Sequence, residues 1–333
     1  MTELLSLQGL SQTYVNSPDM AERIANLAGA KYEETRVRAV NQVSFDIAEG
    51  EVVGLVGESG CGKSTLGRMI AGVERPYGGT LAWRGACLED MTPDQKRQWQ
   101  LEVQMIFQDP FASLNPRMRV EQIVGEAAVV HGLIKRSERR DYVADLLTKV
   151  GLNADVLARY PHQFSGGQRQ RIGIARALAL RPKLIVCDEA ISALDVSIQA
   201  QVLNLFEDLR AEFGFAYLFI SHDLGAVEHI ADRVAIMYLG RLVEIGSSDD
   251  VFENPRHPYT RALLDEVPRL DRRRQEFTAI EGEIPSPLNP PPGCAFHPRC
   301  ALAQDQCKGD LPDLKQGRDE RFTACLLEHE VRA

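Results

Sequence analysis

The sequence predicts an α/β fold built on a mostly parallel sheet, and three observations support this prediction. Short runs that are apolar throughout, apart from Lys183 at the start of the second, recur at residues 52–56, 183–187 and 217–220, as expected of strands that are covered on both faces. Segments with apolar residues at helical spacing alternate with them along the chain. A glycine-rich loop joins the first of these strands to the next helix, and polar residues directly follow the other two.

Length and charge set limits on the class of protein. The chain has 333 residues, of which 44% are hydrophobic, and a net charge of −9. This length allows one large or two moderate domains with a substantial core. The negative charge offers no basic footprint for a nucleic-acid backbone, so nucleic acid is not expected as a partner. The sequence contains neither an 18-residue apolar run nor a basic cluster before an apolar stretch, so we expect no membrane span and no signal peptide. We therefore expect a cytosolic chain.

The N-terminal part is expected to form a β subdomain. Weak alternation over residues 4–14 predicts an edge strand, and residues 40–47 predict a second strand. The polar stretch between them allows a short helix over residues 19–27. Tyr14 could stack on an adenine ring, with Tyr32 as the competing aromatic and an ordinary strand residue as the alternative interpretation.

The glycine-rich loop matches the phosphate-binding pattern G-x-x-x-x-G-K-[ST]. Its glycines let the backbone close around an anion, and the helix that follows turns its free N–H groups towards that anion. Lys63 is then expected to reach the β- and γ-phosphates of a nucleotide, and Ser64 to ligate Mg²⁺. The residues expected to bind the nucleotide are Gly57, Ser59, Gly60, Cys61, Gly62, Lys63, Ser64 and Thr65.

A helical block interrupts the alternation of strands and helices. Before it, Gln108 follows the short apolar run 103–107, at a position from which a glutamine can reach an active-site metal ion or water. From residue 120 to 150 the pattern is helical, with Ser137 as the expected cap of the second helix and Gly151 as its end. These features predict an inserted α-helical subdomain over about residues 112–165.

Polar side chains mark three further candidate positions. A second glycine-opened helix start is a second potential phosphate site, and it consists of Ser165, Gly166, Gly167 and Gln168. Asp188 and Glu189 end the strand over 183–187, and His222 follows the strand over 217–220. Ligands gather at the carboxyl ends of strands in open parallel sheets, so these three side chains are expected to carry chemistry. The alternative interpretation of Asp188 and Glu189 is a solvated turn, and that of His222 is a hydrogen-bonded loop residue without a catalytic role.

Taken in order, these motifs resemble those of the ATP-binding subunits of ABC transporters. The glycine-rich loop is similar to the Walker A motif, Gln108 to the Q-loop glutamine, and residues 164–168 to the family signature, with Phe164 in place of the commoner leucine. Three further stretches resemble Walker B with its adjoining carboxylate, the D-loop and the H-loop, and they are 183–189, 192–195 and 221–223. The resemblance covers most of the chain.

The resemblance implies a P-loop NTPase core of the ABC ATPase type over residues 1–250, in which two subunits sandwich two nucleotides between Walker A of one and the signature of the other. It implies ATP and Mg²⁺ as cofactors. The implied catalytic residues are Lys63, Gln108, Glu189 and His222. The implied Mg²⁺ ligands are Ser64, Gln108 and Asp188. The implied nucleotide contacts outside Walker A are Tyr14, Gln108, Asp188, Ser165, Gly166, Gly167, Gln168 and Asp195.

Residues 251–333 resemble the C-terminal extension of the oligopeptide, dipeptide and nickel import branch, chiefly through residues 254–264. This resemblance implies an ATPase that drives peptide uptake from the cytoplasmic face of the inner membrane, where it lies peripherally. The implied partners are a second ATPase subunit, identical or homologous, two transmembrane permease subunits and an extracytoplasmic peptide-binding protein. An importer of nickel or another small solute, a soluble ABC ATPase of DNA repair or translation, and a non-enzymatic nucleotide-binding regulator are the alternatives.

Four of the seven cysteines lie close to the C-terminus, at Cys294, Cys300, Cys307 and Cys325. Four thiols in one cytosolic tail suit a soft metal centre, and Cys₄ ligation also suits an iron–sulfur cluster. The stretch Pro-Gly-Cys-Ala-Phe-His-Pro-Arg-Cys resembles the cysteine-rich tail of peptide-importer ATPases, for which a [4Fe–4S] cluster is known, and implies such a cluster here. Zinc and inert buried thiols are the alternatives.

Overall fold

The computed structural model describes residues 2–18, 20–27, 34–109, 111–192, 194–266, 280, 282–317 and 319–327. In these ranges the strands β1 to β12 are Glu3–Asn16, Thr35–Ala48, Val52–Val56, Gly78–Trp83, Ala86–Cys87, Val103–Ile106, Leu184–Asp188, Ala216–Ile220, Arg233–Tyr238, Arg241–Ser247, Lys315–Gln316 and Phe322–Thr323. The helices α1 to α11 are Met20–Leu27, Lys63–Ile70, Pro93–Glu102, Val120–Val130, Arg139–Lys149, Gly166–Leu178, Val196–Phe213, Leu224–Ile230, Ser248–Glu253, Pro258–Asp265 and Asp305–Gly309.

A sheet in the strand order β11-β12-β10-β9-β3-β8-β7-β6 forms the centre of the fold. Neighbouring strands from β9 to β6 run parallel, whereas β10 and β12 add to them antiparallel. The predicted α/β class is therefore confirmed. Because the five parallel strands all end at one edge, the residues that follow β3, β6, β7 and β8 meet there.

The core lies on both faces of this sheet. Along β3, Val52 and Val56 pack into the cluster that includes the buried faces of α4 to α8. Val53 and Leu55, which point to the other face, pack with α2 and the N-terminal sheet. Successive side chains of a strand point to opposite faces, so a strand that is apolar at every position is buried on both sides.

The N-terminal strands form a separate antiparallel sheet in the order β2-β1-β4-β5. The prediction that residues 4–14 form an edge strand is wrong, because β1 pairs with β2 on one side and β4 on the other. Register shifts near Gly9 leave both Leu7 and Leu10 buried. This bulge weakens the alternation from which the strand was predicted.

Helices α4 and α5 occupy the predicted helical block. Ser137 is not the cap of α5, because it lies in the preceding turn and Glu138 holds the N-cap position without a side-chain cap bond. Gly151 ends the block with a φ of +75°. The buried residues of α4 and α5 belong to the same core cluster as those of α6, so a separately inserted subdomain over 112–165 stays a prediction.

The short helix expected over residues 19–27 is α1, although Asp19 and the competing Tyr32 lie outside the described residues. In the part of the chain that the structure describes, no helix combines the length and apolar character needed to cross a bilayer.

Buried polar groups attach the C-terminal extension to the sheet. Glu244 of β10 is fully buried and accepts hydrogen bonds of 2.9 Å from the backbone N–H groups of Arg256 and His257. The buried ring of His257 accepts a hydrogen bond from the Tyr259 N–H at 3.0 Å and also bonds the backbone of Ala324. These contacts fix α10 against the sheet and against the tail strand β12.

Candidate active site

The glycine-rich loop leaves the end of β3 and enters α2 at Lys63. Gly62 has a φ of +110°, and a Cβ atom added there would lie 2.1 Å from the carbonyl oxygen of Ala39. At Gly57 an added Cβ atom would lie 2.1 Å from the carbonyl oxygen of Met237. The loop can therefore close against both neighbouring segments only with glycine at these positions.

Lys63 lies within this loop. Its side chain is buried, and Nζ donates hydrogen bonds to the carbonyl oxygens of Gly57 at 2.6 Å and Glu58 at 3.0 Å. The Lys63 side chain thus reaches back from the end of the loop to its first two residues. A cation in this position, together with the free N–H groups at the start of α2, makes the loop a site for an anion.

Ser64 and Asp188 meet across the sheet edge. The Ser64 hydroxyl donates a hydrogen bond of 2.7 Å to Oδ1 of Asp188, and Asp188 is only 3% exposed. Burial raises the pKa of Asp188, although the bond from Ser64 opposes this effect. A buried carboxylate beside a hydroxyl oxygen supplies the hard oxygen ligands that Mg²⁺ prefers, so these two residues fit the ion.

Two side chains hold the carboxylate of Glu189. Gln108 donates from Nε2 to Oε2 at 2.6 Å, and Nδ1 of His222 lies 3.4 Å from Oε1. Glu189 also has a φ of +48°, a conformation that costs energy for a residue with a side chain. The strand ends of β6, β7 and β8 thus bring the three residues together, as their positions in the sequence predicted.

The second glycine-opened helix start forms the N-terminus of α6. Ser165 caps it in a reciprocal arrangement in which Gln168 Oε1 accepts from the Ser165 N–H at 3.1 Å. Ser165 and Gln168 are exposed, as is Asp195 at the start of α7. Within the described residues, the hydrogen bonds of the phosphate loop and of Glu189 do not involve this helix start. Ala193 of the D-loop stretch lies outside the described residues.

Tyr14 lies beside the phosphate loop. Tyr14 is 42% exposed, and its hydroxyl forms hydrogen bonds with the side chains of Glu74 and Thr65. Burial and the bond to Glu74 raise the pKa of this phenol. The predicted stacking on adenine remains a prediction, although the contact with Thr65 is compatible with it.

The tail cysteines come together around Cys307. Cys294 and Cys325 pack on it, and the Cys294 N–H donates to the Cys307 carbonyl oxygen at 2.9 Å. All four thiols are free, and burial raises the pKa of Cys325 to about 11. Among the described residues, however, no set of three or more His, Cys, Asp or Glu side chains is arranged to hold a metal ion. The predicted [4Fe–4S] cluster therefore lacks support from this geometry.

The sequence did not reveal that the C-terminal extension contacts the phosphate loop. The Glu58 N–H donates to the Tyr259 hydroxyl at 2.9 Å, and Arg299 forms two hydrogen bonds with the Glu58 carboxylate. The sequence offers only an arginine next to a cysteine in the tail, a stretch whose cysteines predict metal binding rather than a contact with the loop.

A parallel strand that leads through a glycine-rich loop into a helix, with an acidic residue at the end of another parallel strand of the same sheet, defines the P-loop nucleoside triphosphatases. Residues 40–192 match the family described as ABC transporter, and residues 243–307 match the family described as Oligopeptide/dipeptide transporter, C-terminal region. The chain belongs to the ATP-binding subunits of oligopeptide/dipeptide ABC transporters, which are ATPases.

Whole-chain similarities agree with these matches. The chain is 50% identical over 295 residues to the oligopeptide transport ATP-binding protein AppF of Bacillus subtilis, an alignment that covers 87% of this chain and 90% of that protein. It is 48% identical over 307 residues to the dipeptide transport ATP-binding protein DppF of Escherichia coli, and this alignment covers 92% of each chain. The solved dimeric structure of the ATP-binding cassette MJ0796 bound to ADP and Pi has a TM-score of 0.62 and 25% identity, covering 74% of this chain and 99% of that one.

Proposed function

We propose that this chain hydrolyses ATP to drive the import of dipeptides or oligopeptides across the cytoplasmic membrane. The observation that carries the proposal is the Glu189 carboxylate, held by Gln108 and His222 beside the pair formed by Ser64 and Asp188. The names of the relatives AppF and DppF, which describe oligopeptide and dipeptide transport, support the peptide cargo.

ATP binds through its phosphates to the loop. The Lys63 ammonium and the backbone N–H groups at the start of α2 offset the phosphate charge, which is the main catalytic demand in phosphoryl transfer. The proposed contacts in the loop are Gly57, Ser59, Gly60, Cys61, Gly62, Lys63, Ser64 and Thr65. Tyr14 receives the adenine ring, a role that its exposure next to Thr65 supports.

Ser64, Asp188 and Gln108 would hold the magnesium ion that accompanies ATP. Bound there, Mg²⁺ would neutralise part of the phosphate charge. The hydroxyl of Ser64 and the buried carboxylate of Asp188, which are already 2.7 Å apart, provide its oxygen ligands.

Glu189 positions and polarises the attacking water. Its two neighbours orient it, since the Gln108 amide donates to one carboxylate oxygen and the His222 ring lies beside the other. His222 contacts the γ-phosphate, and the 58% exposure of its side chain leaves room for that contact. A general base held in this way typically contributes a rate factor of about 10² to 10⁴.

The full site requires a second ATPase subunit. We place Ser165, Gly166, Gly167, Gln168 and Asp195 against the nucleotide held by that subunit, and the exposure of the helix start supports this arrangement. The partner is a second copy or a homologous chain. The dimeric state of MJ0796 bound to ADP and Pi, a protein of the same fold, also supports the arrangement.

Two transmembrane permease subunits and an extracytoplasmic peptide-binding protein complete the transporter. The helical block over 112–165 docks on the permeases, with the chain lying peripherally on the cytoplasmic face of the inner membrane. The [4Fe–4S] cluster stays a separate prediction for Cys294, Cys300, Cys307 and Cys325. Iron and sulfide analysis of anaerobically purified protein tests it.

Reconstitution tests the proposed function. The chain is co-purified with the membrane proteins that accompany it, placed in proteoliposomes and supplied with MgATP and radiolabelled di- and oligopeptides. We expect peptide uptake that requires ATP and the cognate binding protein. Uptake of nickel instead of peptide would show that the chain serves an importer of a small solute. ATPase activity stimulated by DNA or ribosomes would contradict the proposal.

A further inference from the structure

An arginine of the cysteine-rich tail contacts the phosphate loop directly. Arg299 donates from Nη1 to Oε2 of Glu58 at 2.7 Å and from Nη2 to Oε1 at 2.9 Å, so that both carboxylate oxygens are engaged. The two residues are separated by 241 positions in the chain. Glu58 directly follows Gly57 in the loop, whereas Arg299 lies beside Cys300.

This ion pair is of the kind that can hold a loop in place. Exposed ion pairs contribute little, but the Arg299 side chain is only 5% exposed and that of Glu58 only 18%. Two parallel charge-assisted hydrogen bonds also fix the relative orientation of the two groups. Removing one partner would leave the other buried without its counter-charge, which is costly.

A second contact from the extension holds the backbone of the same glutamate. The Tyr259 hydroxyl of α10 accepts from the Glu58 N–H at 2.9 Å. The Tyr259 ring packs on the rings of Tyr238 and Phe296, with centroids 4.7 and 5.3 Å away. This aromatic cluster joins α10, strand β9 and the segment before Arg299. Glu58 is thus held at its N–H and at both carboxylate oxygens by residues outside the nucleotide-binding core.

Glu58 connects these contacts of the extension to the phosphate site. The carbonyl oxygen of Glu58 accepts a hydrogen bond of 3.0 Å from Nζ of Lys63. Glu58 is therefore the residue through which the extension and the phosphate-binding lysine are connected. A shift of its backbone would move one of the two carbonyl groups that position the ammonium.

We propose that Arg299 is a positioning residue for ATP, which holds the phosphate loop in its binding conformation through Glu58 and so makes ATP affinity depend on the tail. This inference rests on the proposed function, because it assumes that the loop binds ATP. It assigns to the extension a role in the nucleotide site that neither the loop motif nor the tail motif describes by itself. The competing explanation is that the ion pair only anchors the tail.

The test is a double-mutant cycle with Arg299→Gln, Glu58→Gln and the double variant. MgATP affinity is measured on the isolated chain, and kcat and KM for ATP on the assembled transporter. We expect each single variant to weaken MgATP binding by about 5- to 20-fold and to raise KM more than it lowers kcat. The double variant should bind no more weakly than the worse single variant, because both substitutions remove the same interaction. Arg299→Lys, which keeps the charge but not the two-pronged geometry, should fall in between.

Asp319→Asn is the matched control. It removes an acidic partner of two buried arginines of the extension, Arg256 and Arg321, at a position that makes no described contact with the phosphate loop. If the competing explanation holds, Asp319→Asn and Arg299→Gln will lower thermal stability similarly and both will leave MgATP affinity within about twofold of wild type. That result would overturn the proposal, as would independent, multiplying effects of Arg299→Gln and Glu58→Gln.

Hydrogen exchange provides a readout that does not depend on ATP. In Arg299→Gln and Glu58→Gln, the amides of residues 61–64 should exchange faster than in wild type, whereas Asp319→Asn should leave them unchanged. If the wild-type chain bound no MgATP, the proposed function would fail. The loop amides would then still show whether Arg299 positions the loop, and unchanged exchange in both variants would contradict that role.

Discussion

The hydroxyl of Ser64 lies 2.7 Å from Oδ1 of Asp188, although 124 residues separate them in the chain. Ser64 belongs to the first turn of the helix after the phosphate loop, and Asp188 ends β7, which is separated from β3 by β8 in the sheet. The fold thus places a hydroxyl and a buried carboxylate at one point of the sheet edge. The proposed ATPase mechanism depends on this meeting of strand ends.

Replacing Ser64 with alanine should reduce the apparent affinity of the assembled transporter for Mg²⁺. The variant loses one proposed ligand and the hydrogen bond that orients Asp188, and changes of this kind cost about 10- to 100-fold in metal affinity. The measurement is ATPase rate against free Mg²⁺ at saturating ATP. Ser197→Ala, an exposed serine in α7, serves as the control. An unchanged Mg²⁺ dependence in Ser64→Ala would remove Ser64 from the metal site.

Glu189→Gln should bind MgATP but hydrolyse it at least about 100-fold more slowly, because the amide cannot polarise water as a carboxylate does. Equilibrium binding on the isolated chain and turnover of the assembled transporter separate the two effects. Glu207→Gln is a matched control, since Glu207 is also a glutamate paired with a histidine, His229, at 3.6 Å. Turnover of Glu189→Gln near the wild-type rate would exclude Glu189 as the catalytic carboxylate.

Substitution by alanine should have opposite effects at two glycines, a loss of MgATP binding at one and a gain of stability at the other. At Gly62 the φ of +110° and a contact of 2.1 Å between an added Cβ and the Ala39 carbonyl oxygen leave no room, so Gly62→Ala should abolish MgATP binding. At Gly173, inside α6, an added Cβ would meet nothing within 4 Å, so Gly173→Ala should stabilise the chain by about 0.5–1 kcal/mol. Thermal unfolding and MgATP titration measure both. Normal ATP binding by Gly62→Ala would show that the loop closes differently.

The stability of the chain should fall as the pH drops from 6.5 towards 4, in part through His257. Burial lowers the pKa of this ring to about 4. An unfolded histidine titrates near 6.5, so the unfolded state takes up the proton first, and the contribution that is complete above pH 6.5 is progressively lost below it. From pH 7.5 to pH 5 the expected loss is about 2 kcal/mol in the free energy of unfolding.

His257→Asn isolates this contribution. Asparagine can still accept from the Tyr259 N–H, as N-cap residues do, but it does not titrate. Urea unfolding at both pH values should show a smaller pH dependence in the variant than in wild type, by about 2 kcal/mol. Other buried groups such as Glu244 are present in both proteins and cancel in the comparison. An equal pH dependence would mean that His257 does not carry this effect.

Local sequence patterns predicted much of the candidate site. Asp188 ends one buried parallel strand and His222 follows another, so their placement at one edge of the sheet could be predicted from the α/β class. Contacts between distant segments could not be predicted in this way. The bonds from Arg299 to Glu58 depend on how the tail folds back, and no periodic pattern encodes that path. The bulge near Gly9 likewise broke the alternation over β1, so that an inner strand resembled an edge strand.

The composite site is the central claim, and Ser165→Arg tests it most directly. If Ser165 faces the nucleotide of the partner subunit, this variant should bind MgATP on the isolated chain within about twofold of wild type, while the ATPase rate of the assembled transporter falls by more than about tenfold. Wild-type turnover by the assembled Ser165→Arg transporter, or loss of MgATP binding by the isolated variant, would contradict the account.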